Sequence, residues 1–125
     1  MVARTGATYG KTLYYYDTEP AVYASYLIKL AFDNSVILNK YYWYYTMTED
    51  YELQKKRLVS GGTQPQFNAN AINQIKIPLP STLEEQQEII NSCEEQFEVL
   101  KNLEVLMDQY SKNILVQNKM IWGEE

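Results

Sequence analysis

Hydrophobic and polar positions follow different rhythms on the two sides of Pro80. From Ser81 to about Lys119 no Pro or Gly interrupts the chain, and Ile90, Cys93, Phe97 and Leu100 recur at spacings of three, four and three. Leu103, Met107, Tyr110 and Ile114 repeat that rhythm. The two stripes join by a step of three where four would keep the phase, a stammer-like irregularity. This period is helical. Nearly forty helical residues extend roughly 55 Å at 1.5 Å per residue, more than a small globular unit can cover. The stripe therefore predicts a coiled-coil-type helix that buries Ile90, Phe97, Leu100, Leu103, Met107, Tyr110 and Ile114 against a partner. Ser81 or Thr82 is its expected cap, with Glu84 or Glu85 three residues on. The acidic run from Glu84 to Glu88 opposes the positive end of the helix dipole, which accounts for it without a metal or acid–base role.

Before Pro80 the pattern is shorter and more broken. Residues 12–16 read as a strand ending at Asp17, and residues 24–32 as a second extended or short helical element ending at Asp33 and Asn34. Asn34 or Ser35 is predicted to cap a helix through Val36, Leu38, Tyr41, Trp43 and Tyr45. A second helix is expected over residues 49–59, ending at Gly61, then a helical turn at 70–74. The apolar run 75–79 reads as a strand closed by Pro78 and Pro80, neither of which can donate to a ladder. The predicted class is α+β: mixed strands and helices over residues 1–80, one long helix over 81–119, and a tail at 120–125.

Composition narrows the chemistry. With 46% apolar residues among 125, the chain is long enough for one core and an appendage. No apolar run approaches the roughly 20 residues of a membrane span, and the start lacks a signal-peptide core, so a cytoplasmic protein without a membrane partner is expected. The single Cys93 suits a reducing compartment and reads as a small buried hydrophobe. Histidine is absent, which removes the usual general base, the usual zinc ligand and any Ser-His-Asp or Cys-His triad. No catalytic residue, metal or cofactor is expected. The net charge of −5 divides unevenly: residues 1–80 hold eight Lys/Arg and six Asp/Glu (+2), residues 81–125 three Lys and ten Asp/Glu (−7). Phosphate responds to local charge, so the first segment suits DNA and the second a protein partner.

Several short motifs compete for a role. Gly6-Ala7-Thr8-Tyr9-Gly10-Lys11 has three residues between its glycines where a phosphate-binding loop needs four, so a turn between strands is expected, with Arg4 and Lys11 facing solvent or DNA phosphate. Lys55-Lys56-Arg57 forms the one basic cluster. It reads either as a solvated helix face or as phosphate contacts that orient the domain on a duplex. Base reading calls for Asn, Gln or Arg, and Gln64, Gln66 and Asn68 stand close to the Gly61-Gly62 turn, where they also suit a purely structural role. Twelve tyrosines, several in runs, suit core packing with a wet hydroxyl; stacking on bases and anchoring of interfaces are the alternatives.

The order of Gly61-Gly62-Thr63-Gln64-Pro65, the run Ile75-Lys76-Ile77-Pro78-Leu79-Pro80 and the helix opening Leu83-Glu84-Glu85-Gln86-Gln87 resembles the specificity subunit of Type I restriction–modification systems. Arg4-Thr5-Gly6-Ala7 upstream, the segment from Ala24 to Leu30 and the Tyr-rich stretch from Tyr41 sit in the same order, so the resemblance covers nearly the whole chain. It implies part of a DNA target-recognition domain followed by the conserved helix that joins it to the enzyme. In the family the intact subunit carries two recognition domains, each reading half of a bipartite double-stranded target. It catalyses nothing and docks modification subunits that use S-adenosylmethionine to methylate adenine; a restriction subunit cleaves. The chain begins where family members are midway through a recognition domain, which implies a fragment or truncated form. A homodimer through the helix is expected, since the family's two helices pair antiparallel. A turn shared across members cannot encode different targets, which favours a structural role for Thr63 and Gln64. The rival reading is a protein–protein adaptor, an α/β cap on a coiled-coil dimer that touches no DNA.

Overall fold

The computed structural model describes residues 1–123 apart from Thr18, Ala21, Gly61 and Thr63. Gly61 and Thr63 of the expected turn, and with them the structural role of Thr63, thus lie outside the described residues. Strand β1 (Val2–Ala3) pairs antiparallel with β2 (Leu27–Ile28), Val2 opposite Ile28 and Ala3 opposite Leu27. Single bridges extend this pairing from Val2 to Thr12 and from Thr5 through Gln66 to Ser60. The class is α+β, but strands are fewer than expected. The predicted strand at 12–16 is reduced to the bridge at Thr12. Three consecutive tyrosines follow without the alternation a half-buried strand requires, and Tyr15 and Tyr16 are exposed.

The run 75–79 is extended but joins no ladder. Side chains hold it instead. Tyr41 donates its hydroxyl to the Pro78 carbonyl (2.6 Å), and Tyr45 and Gln54 both donate to the Lys76 carbonyl (3.0 and 2.8 Å). The Lys76 N–H returns a bond to Gln54 Oε1 (2.9 Å). Proline removes the donors a ladder needs, and the Lys76 backbone and the Pro78 carbonyl are satisfied from the helices.

Helix α1 (Asn39–Tyr45) begins later than the sequence suggests. The Asp33 carboxylate captures both the N–H (2.9 Å) and the hydroxyl (2.6 Å) of Ser35, while the Asp33 carbonyl accepts from Val36 and Ile37. Ser35 is thereby spent in a local turn and does not cap. Helix α2 (Glu49–Leu58) is capped by Thr48, with Glu49, Asp50 and Glu52 in its first turn and Lys55, Lys56 and Arg57 in its last, both favourable to the dipole. Helix α3 (Ala69–Ile72) is a single turn capped by the Asn68 side chain.

Helix α4 (Leu83–Trp122) opens on the expected capping box. Thr82 Oγ1 accepts from the Glu85 N–H (3.1 Å), and the Glu85 carboxylate accepts from Ser81 (2.8 Å) and Thr82 (3.4 Å). It runs past Lys119 to Trp122, where Gly123 takes a left-handed φ of 63°. Met1–Ile90 form one compact unit, including the first two turns of α4, and residues from Asn91 on form another. In the first unit Val2, Tyr45, Tyr51, Phe67, Ala71 and Ile72 make one core cluster. Ile37, Tyr41, Tyr42 and Ile90 make a second. Ile90, 1% exposed, is therefore a core residue and not part of a partner-facing stripe. In the second unit every described residue from Glu95 on is exposed.

Candidate nucleic-acid interface

Arg4 and Lys11 lie on either side of a tight double turn. The Tyr9 N–H donates to the Gly6 carbonyl, the Lys11 N–H to Thr8 and the Gly10 N–H to Ala3, with Gly6 and Gly10 at φ of 78° and 74°. No helix follows the second glycine, so successive N–H groups do not converge on a phosphate as they would in a nucleotide loop. The turn instead leads Lys11 back beside Ala3, whose N–H donates to the Lys11 carbonyl (2.9 Å). Arg4 is pinned from two sides: its N–H donates to the Tyr26 carbonyl (2.9 Å) and its carbonyl accepts from Phe67 (2.7 Å). Both side chains are exposed.

From Arg4 the ladder continues to the end of α2. Gln66 exchanges two backbone bonds with Ser60 (2.7 and 3.1 Å), and its side-chain amide donates to Thr5 Oγ1 (3.0 Å). Lys56 and Arg57, in the last turn of α2, are exposed just before Ser60. Backbone contacts thus connect the segments that carry the four exposed cations Arg4, Lys11, Lys56 and Arg57. Gln64 is exposed on the connecting segment.

Three of the expected contact residues are otherwise engaged. Lys55 is buried: its ammonium pairs with Glu52 and stands 5.4 Å and 5.9 Å from the ring centroids of Tyr9 and Tyr51. Its aliphatic stem fills the space where Gly10 lacks a side chain, and a Cβ at Gly10 would fall 2.0 Å from Lys55 Cδ. Lys55 is consequently a packing residue, not a surface phosphate contact. Gln66 is half-buried with its amide spent on Thr5, and Asn68 spends its side-chain oxygen on α3.

The tyrosines, with one glutamine, do the structural work beneath this surface. The Tyr45 hydroxyl donates to Asp50 (2.6 Å), and Gln54 donates to both (2.7 and 2.9 Å). Burial and the adjoining carboxylate push the Tyr45 phenol up, while hydrogen bonds from Tyr45 and Gln54 hold Asp50 below the usual carboxylate range. Tyr45 stays neutral and Asp50 ionised, a static pair with no proton to pass. Among the described residues no three His, Cys, Asp or Glu side chains come together as a metal ion would require. Likewise, no described helix is long and apolar enough to cross a membrane.

Sequence reasoning missed Gln86. It is 1% exposed, and its amide accepts from the Leu38 N–H (2.9 Å) and donates to the Val36 carbonyl (2.9 Å). The one signal was a glutamine at the fourth position of an acidic helix start, where any polar residue would have satisfied the dipole. Gln86 and Ile90, one turn apart, seat the start of α4 within the first unit.

In that unit the net charge is close to zero, with eight Lys/Arg against nine Asp/Glu over residues 1–90. Attraction to phosphate therefore depends on local groups of cations, among them Arg4, Lys11, Lys56 and Arg57. A family model described as the Type I restriction modification DNA specificity domain matches residues 2–105. The matched span holds those four cations, the segment around Gln64 and Gln66, the proline-closed run and the capped opening of α4. Comparison with curated proteins and with solved structures gave no match. With most of its length accounted for in this way, the chain belongs to the Type I restriction–modification DNA specificity family.

Proposed function

We propose that this chain is a non-catalytic DNA-specificity element of a Type I restriction–modification enzyme, which touches duplex DNA through its first unit and docks modification subunits through α4. The observation that carries the reading is that Arg4, Lys11, Lys56 and Arg57 are all exposed on segments tied together by backbone bonds, Arg4 and Lys11 beside β1 and Lys56 and Arg57 in the last turn of α2, which the Ser60–Gln66 and Thr5–Gln66 bridges connect to them. Such contacts orient a domain on phosphate without carrying sequence information. Gln64, exposed on the segment between Ser60 and Gln66, is the side chain best placed for a base edge.

Helix α4 supports the docking half of the reading. Phe97, Leu100, Leu103, Met107, Tyr110 and Ile114 are between 47% and 70% exposed, an apolar surface out of keeping with a helix that works in water alone. In isolation two copies pair through it; in the enzyme the modification and restriction subunits take part. The Asp/Glu excess over residues 81–125 disfavours DNA on that surface.

Fluorescence anisotropy with labelled duplexes at about 50 mM salt tests the DNA half. Binding at ~10⁻⁴–10⁻⁶ M that weakens steeply with salt is expected. The pair Lys56→Ala and Arg57→Ala should weaken every duplex alike and flatten the salt slope by roughly 0.9 per lost phosphate contact, while Lys55→Ala changes stability. No binding by the parent at low salt would leave the adaptor reading, a cap on a coiled coil, in its place.

A further inference from the structure

An aromatic cavity of about 380 Å³ opens in the first unit between the segment following β1 and the face of α1. Tyr14, Tyr23, Phe32 and Trp43 line it together with Lys29 and Asn39. Its volume lies in the range of small-ligand sites, and its make-up is apolar with a few polar groups, as such sites are built. The rings pack on one another at tilted angles. Tyr14 and Trp43 lie 5.6 Å apart, Trp43 and Tyr44 5.0 Å, and Phe32 stands 4.7 Å from Tyr42. Lys40 Nζ is 5.9 Å from the Tyr14 centroid, so a second cation borders the same rings as Lys29. Tyr15 closes one wall by donating its hydroxyl to the Glu19 carbonyl (2.6 Å).

Tyr42, Phe32 and Tyr44 belong to or pack against the second core cluster, but Tyr14, Tyr23 and Trp43 do not. Tyr23 is 45% exposed and Tyr14 and Trp43 are half-buried, so part of each ring's surface reaches solvent at the cavity. Aromatic faces interleaved with lysines match a planar heteroaromatic ring that carries a phosphate. A fully apolar guest would leave Lys29 and Asn39 without purpose, and a carboxylate or phosphate alone would waste the rings. We propose that this cavity binds an unpaired nucleotide, its base stacked on Tyr14 and Trp43, its Watson–Crick edge near Asn39 and its phosphate near Lys29 and Lys40. The nucleotide comes from DNA, as a base that has left the stack, and to that extent the inference rests on the DNA-binding reading above. A free nucleotide has the same chemistry and is the other source.

Trp43 reports the site directly once Trp122 is replaced by Phe in the full chain. Its emission and the anisotropy of labelled DNA are followed with three probes: a paired duplex, the same duplex with one bulged adenosine, and adenosine monophosphate. The bulged duplex should bind about five- to hundredfold more tightly than the paired one, the range set by stacking of one base on aromatic side chains. It should also quench Trp43, and Tyr14→Ala should abolish the preference while leaving the paired duplex unaffected. Asn39→Ala, at an exposed position, should reduce the preference without disturbing the fold, which keeps the test decisive if Tyr14→Ala unfolds. Equal binding of bulged and paired duplexes overturns the inference and leaves the DNA reading standing. Quenching by the monophosphate alone, with neither duplex bound, moves the site to free nucleotides and removes the DNA reading. No response to any probe refutes both.

Discussion

Replacing Gln86 by Met removes two long-range hydrogen bonds and almost no volume. The Gln86 amide joins α4 to the chain 48 and 50 residues earlier, at Leu38 and Val36, at 2.9 Å in both cases. Leu38 is half-buried and supplies the backbone N-cap of α1 with no side-chain cap to help, so its N–H has no ready substitute for the glutamine oxygen. An unsatisfied buried donor costs about 1–3 kcal/mol. Val36 is 54% exposed, so its carbonyl regains water and adds little. The expected loss is about 2 kcal/mol, a roughly 30-fold fall in the folded-to-unfolded ratio. Gln86→Glu should cost more, since the carboxylate can accept from Leu38 but repels the Val36 carbonyl and brings a buried charge. Far-UV dichroism is dominated by α4, so Trp43 emission in a Trp122→Phe background is the better probe of urea unfolding. The Leu38 amide should also exchange faster with solvent, by a factor comparable to the stability loss. A midpoint shift worth less than about 0.5 kcal/mol in the Met variant, with Leu38 exchange unchanged, would refute the claim that these bonds seat the helix.

Gly10→Ala should destabilise clearly more than Gly6→Ala: both glycines are left-handed, but only at Gly10 does the new Cβ meet Lys55, while Gly6 has nothing within 4 Å. Comparing urea midpoints gives the Lys55 conflict separately from the ~1–2 kcal/mol backbone cost, and equal losses would refute the packing account of Lys55. Tyr42, its phenol pushed up to about 12 by burial and its hydroxyl without a hydrogen-bond partner although Tyr51 lies close, folds only in the neutral form. Its contribution is fully present below the unfolded phenol's value near 10 and is lost as pH rises towards 12, about 3 kcal/mol in all. Tyr42→Phe should lessen that alkaline decline, the rest of which comes from the phenols of Tyr45 and Tyr51 that burial also pushes up, and cost little at neutral pH, as melting curves across the range will show. Leu100→Asp with Leu103→Asp should convert a dimer to monomer in sedimentation equilibrium at tens of micromolar, because each large apolar side chain kept in water forgoes roughly 1.5–3 kcal/mol of burial. A parent already monomeric there would count against self-pairing. Purified protein given labelled S-adenosylmethionine and mixed-sequence DNA should transfer no methyl group above background.

What could be read without a structure was local in origin. The Thr82-to-Glu85 capping box, the unbroken stretch beyond it and the helix expected over residues 49–59 depend on neighbours within four residues, and all three appear close to where periodicity and capping chemistry put them. The order of short motifs that marks the family is local too, and it needed no fold. Tertiary structure decided matters that turn on distant partners. Lys55 and Lys56 are adjacent and chemically identical, yet the helical step of about 100° sends one onto Tyr9 and Gly10 and leaves the other in water. Gln66 and Asn68 look like base readers until Thr5 and Ala71 claim their side chains. Ile90 shares its period with Phe97 and Leu100, but lies in a cluster with Ile37, Tyr41 and Tyr42, more than 45 residues earlier. The run 75–79 has a strand's composition, and its backbone is satisfied by Tyr41, Tyr45 and Gln54 instead of by another strand. A residue's type and spacing set what it is able to bond; which group actually meets it depends on chain folded from far away in the sequence, and in this protein that second factor separated the exposed cations from the packed one.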